Sequence, residues 1–268
     1  RFHTPDAGTY QLENLKVTTI RNTFEGQSNI TFSESNTIAS VQLGTKNVSL
    51  EALVEGQNAM LDRLRTKKDL GPLEIQATAV LSEERHQLQA LNINFGEEGF
   101  VRMQVKGSVG NLPNLEEIQL DFNISGNNIS DLEPITGRAI PMKGPYDLSG
   151  EVSGHAPGSI MLHNLGFTLG DNRFDGQANL NLAGNIPVID AEISADHVSL
   201  APVTIDEVDP FKKIPDLGPF KLAFKLVEKD NAPALTHLDF RLGRQSTIFT
   251  RLHGTVGSLA PLGDVFID

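Results

Sequence analysis

Three observations on this 268-residue sequence predict a mainly β fold: a curled antiparallel sheet of repeats about 73 residues long, with one short amphipathic helix. Apolar and polar residues alternate with period two along most of the chain. Short clusters of turn-forming residues interrupt the alternation, and three glycine markers recur at one spacing. A strand sends successive side chains to opposite faces, so this alternation means one apolar face and one wet face. Strands buried on both faces, as in parallel sheets, would be apolar throughout. These are not.

The elements can be justified in chain order. Leu50, Leu53, Val54, Met60, Leu61 and Leu64 fit spacings of three and four, and Arg63, Arg65, Lys67 and Lys68 follow. Cations in a last turn suit the negative end of the helix dipole, so one helix is expected over about 50–66, capping the end of the apolar sheet. Alternation then begins at Leu73, Ile75, Ala77, Ala79 and Leu81, and resumes at Leu91, Ile93 and Phe95. It continues at Val101, Met103 and Val105 and at Ile118, Leu120, Phe122 and Ile124. Later strands are expected at Phe174–Leu182, at Ile189, Ala191 and Ile193, and at Phe220, Leu222, Phe224 and Leu226. Gly96-Glu97-Glu98-Gly99, Gly126-Asn127-Asn128, Gly170-Asp171-Asn172 and Lys229-Asp230-Asn231 supply the turns. Connections this short join antiparallel neighbours. The stretches 130–140 and 200–214 are too rich in proline for more than a turn or two of helix.

The repeat is the most informative feature. Gly-Pro opens a strand at Gly71-Pro72-Leu73, Gly144-Pro145-Tyr146 and Gly218-Pro219-Phe220, in steps of 73 and 74 residues. An alternating strand closes with glycine at Phe95-Gly96, Leu169-Gly170 and Leu242-Gly243, in steps of 74 and 73. Val109-Gly110, Ala183-Gly184 and Val256-Gly257 keep the same period. Phe24-Glu25-Gly26-Gln27-Ser28-Asn29 is echoed 150 residues later by Phe174-Asp175-Gly176-Gln177-Ala178-Asn179. A Val/Ile-Ser step leads out of the sheet at Val48-Ser49, Ile129-Ser130 and Val198-Ser199. The chain therefore reads as one continuous repeat-built domain, with approximate units 1–70, 71–143, 144–217 and 218–268. Such a unit is too long for a β-helix coil or a common propeller blade. Closed on itself, the sheet would pack its apolar residues as a sandwich does. Left open, it would expose far more apolar surface than a soluble monomer usually shows, which implies a ligand or partner. The sequence leaves both arrangements standing.

Composition narrows the function. With 22 Lys+Arg against 34 Asp+Glu the formal charge is −12, and no cationic cluster offers the counterion release that nucleic acid binding needs. Cysteine is absent, which excludes disulfides, thiolate metal sites and cysteine nucleophiles. No run approaches the roughly 18–20 apolar residues that span a bilayer. The polar start Arg1-Phe2-His3-Thr4-Pro5-Asp6 is not a signal peptide, so the chain is expected to be a segment of something longer, with any anchor outside it.

Gly-Pro-Phe-x-Leu opening a strand, Leu-x-Phe-x-Leu-Gly, Phe-x-Gly and the exit Val198-Ser199-Leu200-Ala201-Pro202 together resemble the AsmA-like family, in the wider group with TamB- and YhdP-type proteins. The resemblance is strongest from Gly170 to Pro202, next from Gly218 onward, and covers about residues 70–268, with the first 70 more loosely included. It implies a long U-shaped groove with an apolar interior, in a periplasmic segment of an inner-membrane-anchored protein of a diderm bacterium. The implied function is nonspecific carriage of phospholipid acyl chains between membranes, with further β-groove segments of the same protein and membrane proteins at the ends as partners, and no cofactor. Each CH₂ moved out of water gains about 0.8 kcal/mol, so an apolar trough is a sufficient carrier. The expected lining is the apolar phase of the strands. In the second unit it comprises Leu91, Ile93, Phe95, Val101, Met103, Val105, Ile118, Leu120 and Phe122. Beyond that unit it comprises Leu165, Phe167, Leu169, Phe174, Leu180, Leu182, Ile193, Leu222, Phe224, Phe240 and Leu242.

No catalytic constellation stands out, and the chain is not expected to be an enzyme. None of the seven histidines has HExxH spacing, and although His155 and His163 flank the start of a strand, no nearby Asp or Glu is expected to complete a metal set with them. There is no Gly-x-Ser-x-Gly elbow. Asp171, Asn172 and Asp175 read as a polar hairpin turn, since the alternating ligands and distal Glu of a calcium loop are missing. Sequons at Asn29, Asn47, Asn123 and Asn128 carry no meaning in a bacterial setting. One rival is a structural or interaction module, a scaffold or adhesin, with the same repeats closed on a dry core. A carbohydrate-active enzyme would want aromatic platforms, and the chain has no Trp and only Tyr10 and Tyr146.

Overall fold

The computed structural model describes residues 2–3, 8–19, 22–48, 71–96, 101–133, 139–184, 186–202, 216–244, 249–259 and 262–268. The helix expected over 50–66 lies outside them. The protein is mainly β, and the chain divides into two compact units, Arg1–Ile140 and Pro141–Asp268. The N-terminal unit contains β1 (Phe2–His3), β2 (Thr9–Thr18), β3 (Thr23–Phe32), β4 (Asn36–Thr45), β5 (Leu73–Ser82), β6 (His86–Gly96), β7 (Arg102–Asn111) and β8 (Glu116–Gly126). The C-terminal unit contains β9 (Tyr146–Ala156), β10 (Ser159–Leu169), β11 (Asn172–Asn181), β12 (Val188–Ala195), β13 (Phe220–Lys229), β14 (Ala232–Gly243), β15 (Phe249–Leu259) and β16 (Leu262–Ile267). Within each unit every strand pairs antiparallel with the next in sequence, and the order is an open meander.

Local chemistry explains the turns. Pro157-Gly158 joins β9 to β10 with Gly158 at φ 72°, the positive φ that a proline–glycine turn needs at its second position. Asp230 and Asn231, at φ 53° and 58°, join β13 to β14 in the doubly left-handed conformation that matches strand twist. The Gly-Pro markers and the strand-closing glycines are partners in space. Gly96 N–H donates to Pro72 O at 2.8 Å, Gly170 N–H to Pro145 O at 3.0 Å and Gly243 N–H to Pro219 O at 2.8 Å. The exit steps return to the same place: Val48 N–H donates to Gly71 O at 3.0 Å and Val198 N–H to Gly218 O at 2.9 Å.

Every fourth strand is bulged at the same motif. Register shifts fall between Leu12 and Leu15 in β2, Leu88 and Leu91 in β6, Leu162 and Leu165 in β10, and Leu235 and Leu238 in β14. Each is a Leu-x-x-Leu, which breaks period two, and the extra bulged residue restores it so that both leucines face one way. Asn14 and Asn164 take up the left-handed conformation there, at φ 55° and 52°. The second leucine of each motif lies opposite a glycine: Leu15 with Gly26, Leu91 with Gly107, Leu165 with Gly176 and Leu238 with Gly254. A Cβ on these glycines would come within 1.8, 1.9, 2.9 and 2.1 Å of a carbonyl oxygen of the following strand. Bulge and glycine together bend a sheet sharply.

Candidate functional site

The apolar phase runs across the strands as continuous rungs, because directly paired residues point to the same face. In the N-terminal unit Leu15, Gly26, Leu43, Ile75, Ile93, Val105 and Phe122 are in register from β2 to β8. A second rung joins Ala77, Leu91, Gly107 and Leu120, and a third joins Leu73, Phe95, Met103 and Ile124. Ile118 continues the rung through Leu88 and Val109. In the C-terminal unit Leu165, Gly176, Ile193, Leu222, Phe240 and Leu252 form one rung. Phe224 stands between Ala191 and Leu238, and Leu180 lies in register with Ile189, Leu226 and Leu235.

One end of this face carries a string of rings. Phe167 stacks on Phe174 at 5.9 Å, Phe174 meets Phe220 edge-on at 5.9 Å, and Phe220 meets Phe240 at 5.8 Å. The small Ala195, opposite Phe220, leaves room for rings from β11 and β13 to meet across β12. Leu242 is the register partner of Phe220 on the other side. Each ring pair of this kind contributes about 0.5–1.5 kcal/mol beyond its buried area.

Most expected lining residues lie half-exposed on these rungs, and three do not. Val101 and Leu169 are each only 4% exposed and present almost no surface. Leu182 follows the end of β11 and is 47% exposed. Beside Leu169 the exit segment is tied to the sheet: Asn172, the register partner of Leu169, donates from Nδ2 to Ser199 O at 2.8 Å and accepts from Ser199 N–H at 2.6 Å. Asn172 is 5% exposed, and Asn22, 150 residues earlier, is 1% exposed. Sequence reasoning did not find this clamp. Its trace was an asparagine two residues before each Phe-x-Gly.

Sequence reasoning also left Ile75, Leu43, Phe220 and Leu252 out of the lining, although the alternation reaches them. Ile75 and Phe220 already stand in the apolar phase of their strands, and register adds Leu43 and Leu252. The opposite face is polar. Lys16 pairs with Glu25 at 3.8 Å, Lys221 with Glu192 at 2.5 Å and Lys225 with Asp190 at 3.8 Å. His163 finds an acid across the sheet, Glu151 at 3.2 Å. Asp239 accepts from Arg241 Nε at 3.2 Å and Nη2 at 2.7 Å, with Arg251 at 3.9 Å. The Arg241 hydrogen bonds hold its carboxyl below the usual aspartate range against the opposing effect of burial, and the positive charges of Arg241 and Arg251 add to the lowering. No group of three or more His, Cys, Asp or Glu suited to a metal occurs among the described residues. Among them, too, no helix is long and apolar enough to cross a membrane. Comparison with protein-family models, with curated proteins and with solved structures finds no match to this chain.

Proposed function

We propose that the chain binds lipid acyl chains nonspecifically along its apolar face, as a repeat-built, curled groove that forms a periplasmic segment of a lipid-transport bridge between membranes. The observation that carries this reading is the state of the apolar rungs. They run unbroken across successive strands, yet Ile93, Phe95, Phe122, Phe167, Phe174 and Phe240 all remain part-exposed. In a closed sandwich such central residues would be dry. Among the described residues the buried apolar side chains are few and mostly Val and Ala, with Ile129, Tyr146 and Leu169 the larger ones. A face of this kind needs an apolar occupant. Acyl chains fit because a lining of Leu, Ile, Val and Phe offers no polar group to bind and no single deep minimum.

The recurrence of the Leu-x-x-Leu bulge with its opposed glycine supports the repeat. Placed once in every four strands, it would also curl the sheet toward one side by the same amount in each unit. The test is mass spectrometry of the organic extract of protein purified without detergent from a bacterial host. Stoichiometric phospholipid with mixed headgroups and varied acyl chains is expected. A lipid-free, monodisperse protein would instead favour a scaffold or adhesin module with its core closed.

A further inference from the structure

The two units differ on their polar faces, and that difference is unexplained by lipid binding. Charge is the usual way to keep the wet face of a sheet soluble and unpaired. The C-terminal unit follows this rule, with Asp190, Lys225 and His237 in one rung and Lys221, Arg241 and Arg251 in another. At the centre of the N-terminal unit charge gives way to neutral amides. Gln27, Gln42, Gln76 and Asn92 stand directly in register across β3, β4, β5 and β6. Gln27 Nε2 donates to Gln42 Oε1 at 3.1 Å, so this part of the rung is already an ordered amide ladder.

The four amides, with Asn29 and Thr78, line a concavity of about 340 Å³ on this face. That volume is at the lower end of small-ligand sites. Asn92 Oδ1 is shut off from solvent and has no hydrogen-bond partner, so the amides open to a ligand are the exposed ones of Gln27, Gln42 and Gln76. A side-chain amide both donates and accepts, which suits a ligand whose groups do the same and carry no charge. The geometry points to an extended neutral glycan, lying across the strands with its hydroxyls on the amide rung. Successive amides sit about 4.8 Å apart, the spacing of the strands, so a polymer meets the same chemistry at each step. With no aromatic ring in the concavity, the interaction is hydrogen-bonded and weak for one sugar, and it strengthens with the number of sugars engaged.

The test is an NMR titration of the ¹⁵N-labelled chain with chitotetraose and, separately, cellotetraose, following side-chain amide signals. Saturable shifts confined to Gln27, Gln42, Gln76 and Asn92 are expected for at least one tetrasaccharide, undiminished in 0.5 M salt because no charge is involved. Replacing both Gln42 and Gln76 by Ala should weaken that binding at least fivefold. Both side chains are exposed, and the dispersion of the backbone spectrum reports whether the variant is folded. No saturable shift with either sugar, or equal shifts on the charged face of β12–β15, would overturn the proposal. Because the lipid extract reads the opposite face, its result is independent of this one.

Discussion

At the scale of single residues, two polar groups hold parts of the protein that apolar burial cannot. Asp239 is depressed below its ordinary pKa, so its contribution is present above the unfolded value and is lost as pH falls through the folded one. Asp239→Asn should therefore cost about 1–2 kcal/mol at pH 7 and progressively less as pH falls below the ordinary aspartate pKa, read from urea midpoints at pH 7 and at acid pH. Equal losses at both would mean that shape, and not charge, is what Asp239 supplies. Asn172 acts differently, by satisfying both main-chain polar groups of Ser199. Asn172→Ala should lose about 2 kcal/mol, and amide exchange at Ser199 should accelerate while the centre of β11 keeps its protection.

At the scale of elements, the bulge with its opposed glycine decides which side chains share a face. A Cβ at Gly26 would lie 1.8 Å from Gln42 O, whereas at Gly44 the nearest atom is Leu73 O at 3.6 Å. Gly26→Ala should destabilise by about 1–3 kcal/mol through a forced backbone shift, while Gly44→Ala stays within about 0.5 kcal/mol of the parent. Thermal melts of the pair check this, and equal effects would remove the close approach as the explanation. The Leu-x-x-Leu motifs were visible in the sequence at all four places. Period-two reading passes over them because two intervening residues look like the end of one strand and the start of another. Only a bulge makes them one strand, and a bulge is a property of pairing.

At the scale of the whole molecule, the question is whether charge on the apolar rungs is tolerated. On an open face Phe167→Glu and Phe122→Glu can turn the new carboxylate toward water. Each should lose less than about 2 kcal/mol and keep the β circular dichroism spectrum, while the lipid recovered per protein falls severalfold. In a dry core the same changes would bury an unpaired charge and unfold the protein. Global unfolding of both variants would therefore count against the groove.

The sequence by itself determined the strand class, the positions of most strands, the apolar phase and the fixed spacing of the glycine markers. These follow from local rules: period two, turn chemistry and the conformational freedom of glycine. Tertiary structure alone decided that the Gly-Pro and closing-glycine markers bond to one another, that Val101 and Leu169 are covered, and that Leu43 and Leu252 join the rungs. It also decided that neutral amides stand in register at the centre of one unit's polar face, where the other unit carries charged rungs. The reason is physical. Alternation says which side of its own strand a residue takes, but what stands beside it is fixed by register between strands, through hydrogen bonds that join residues far apart in the chain.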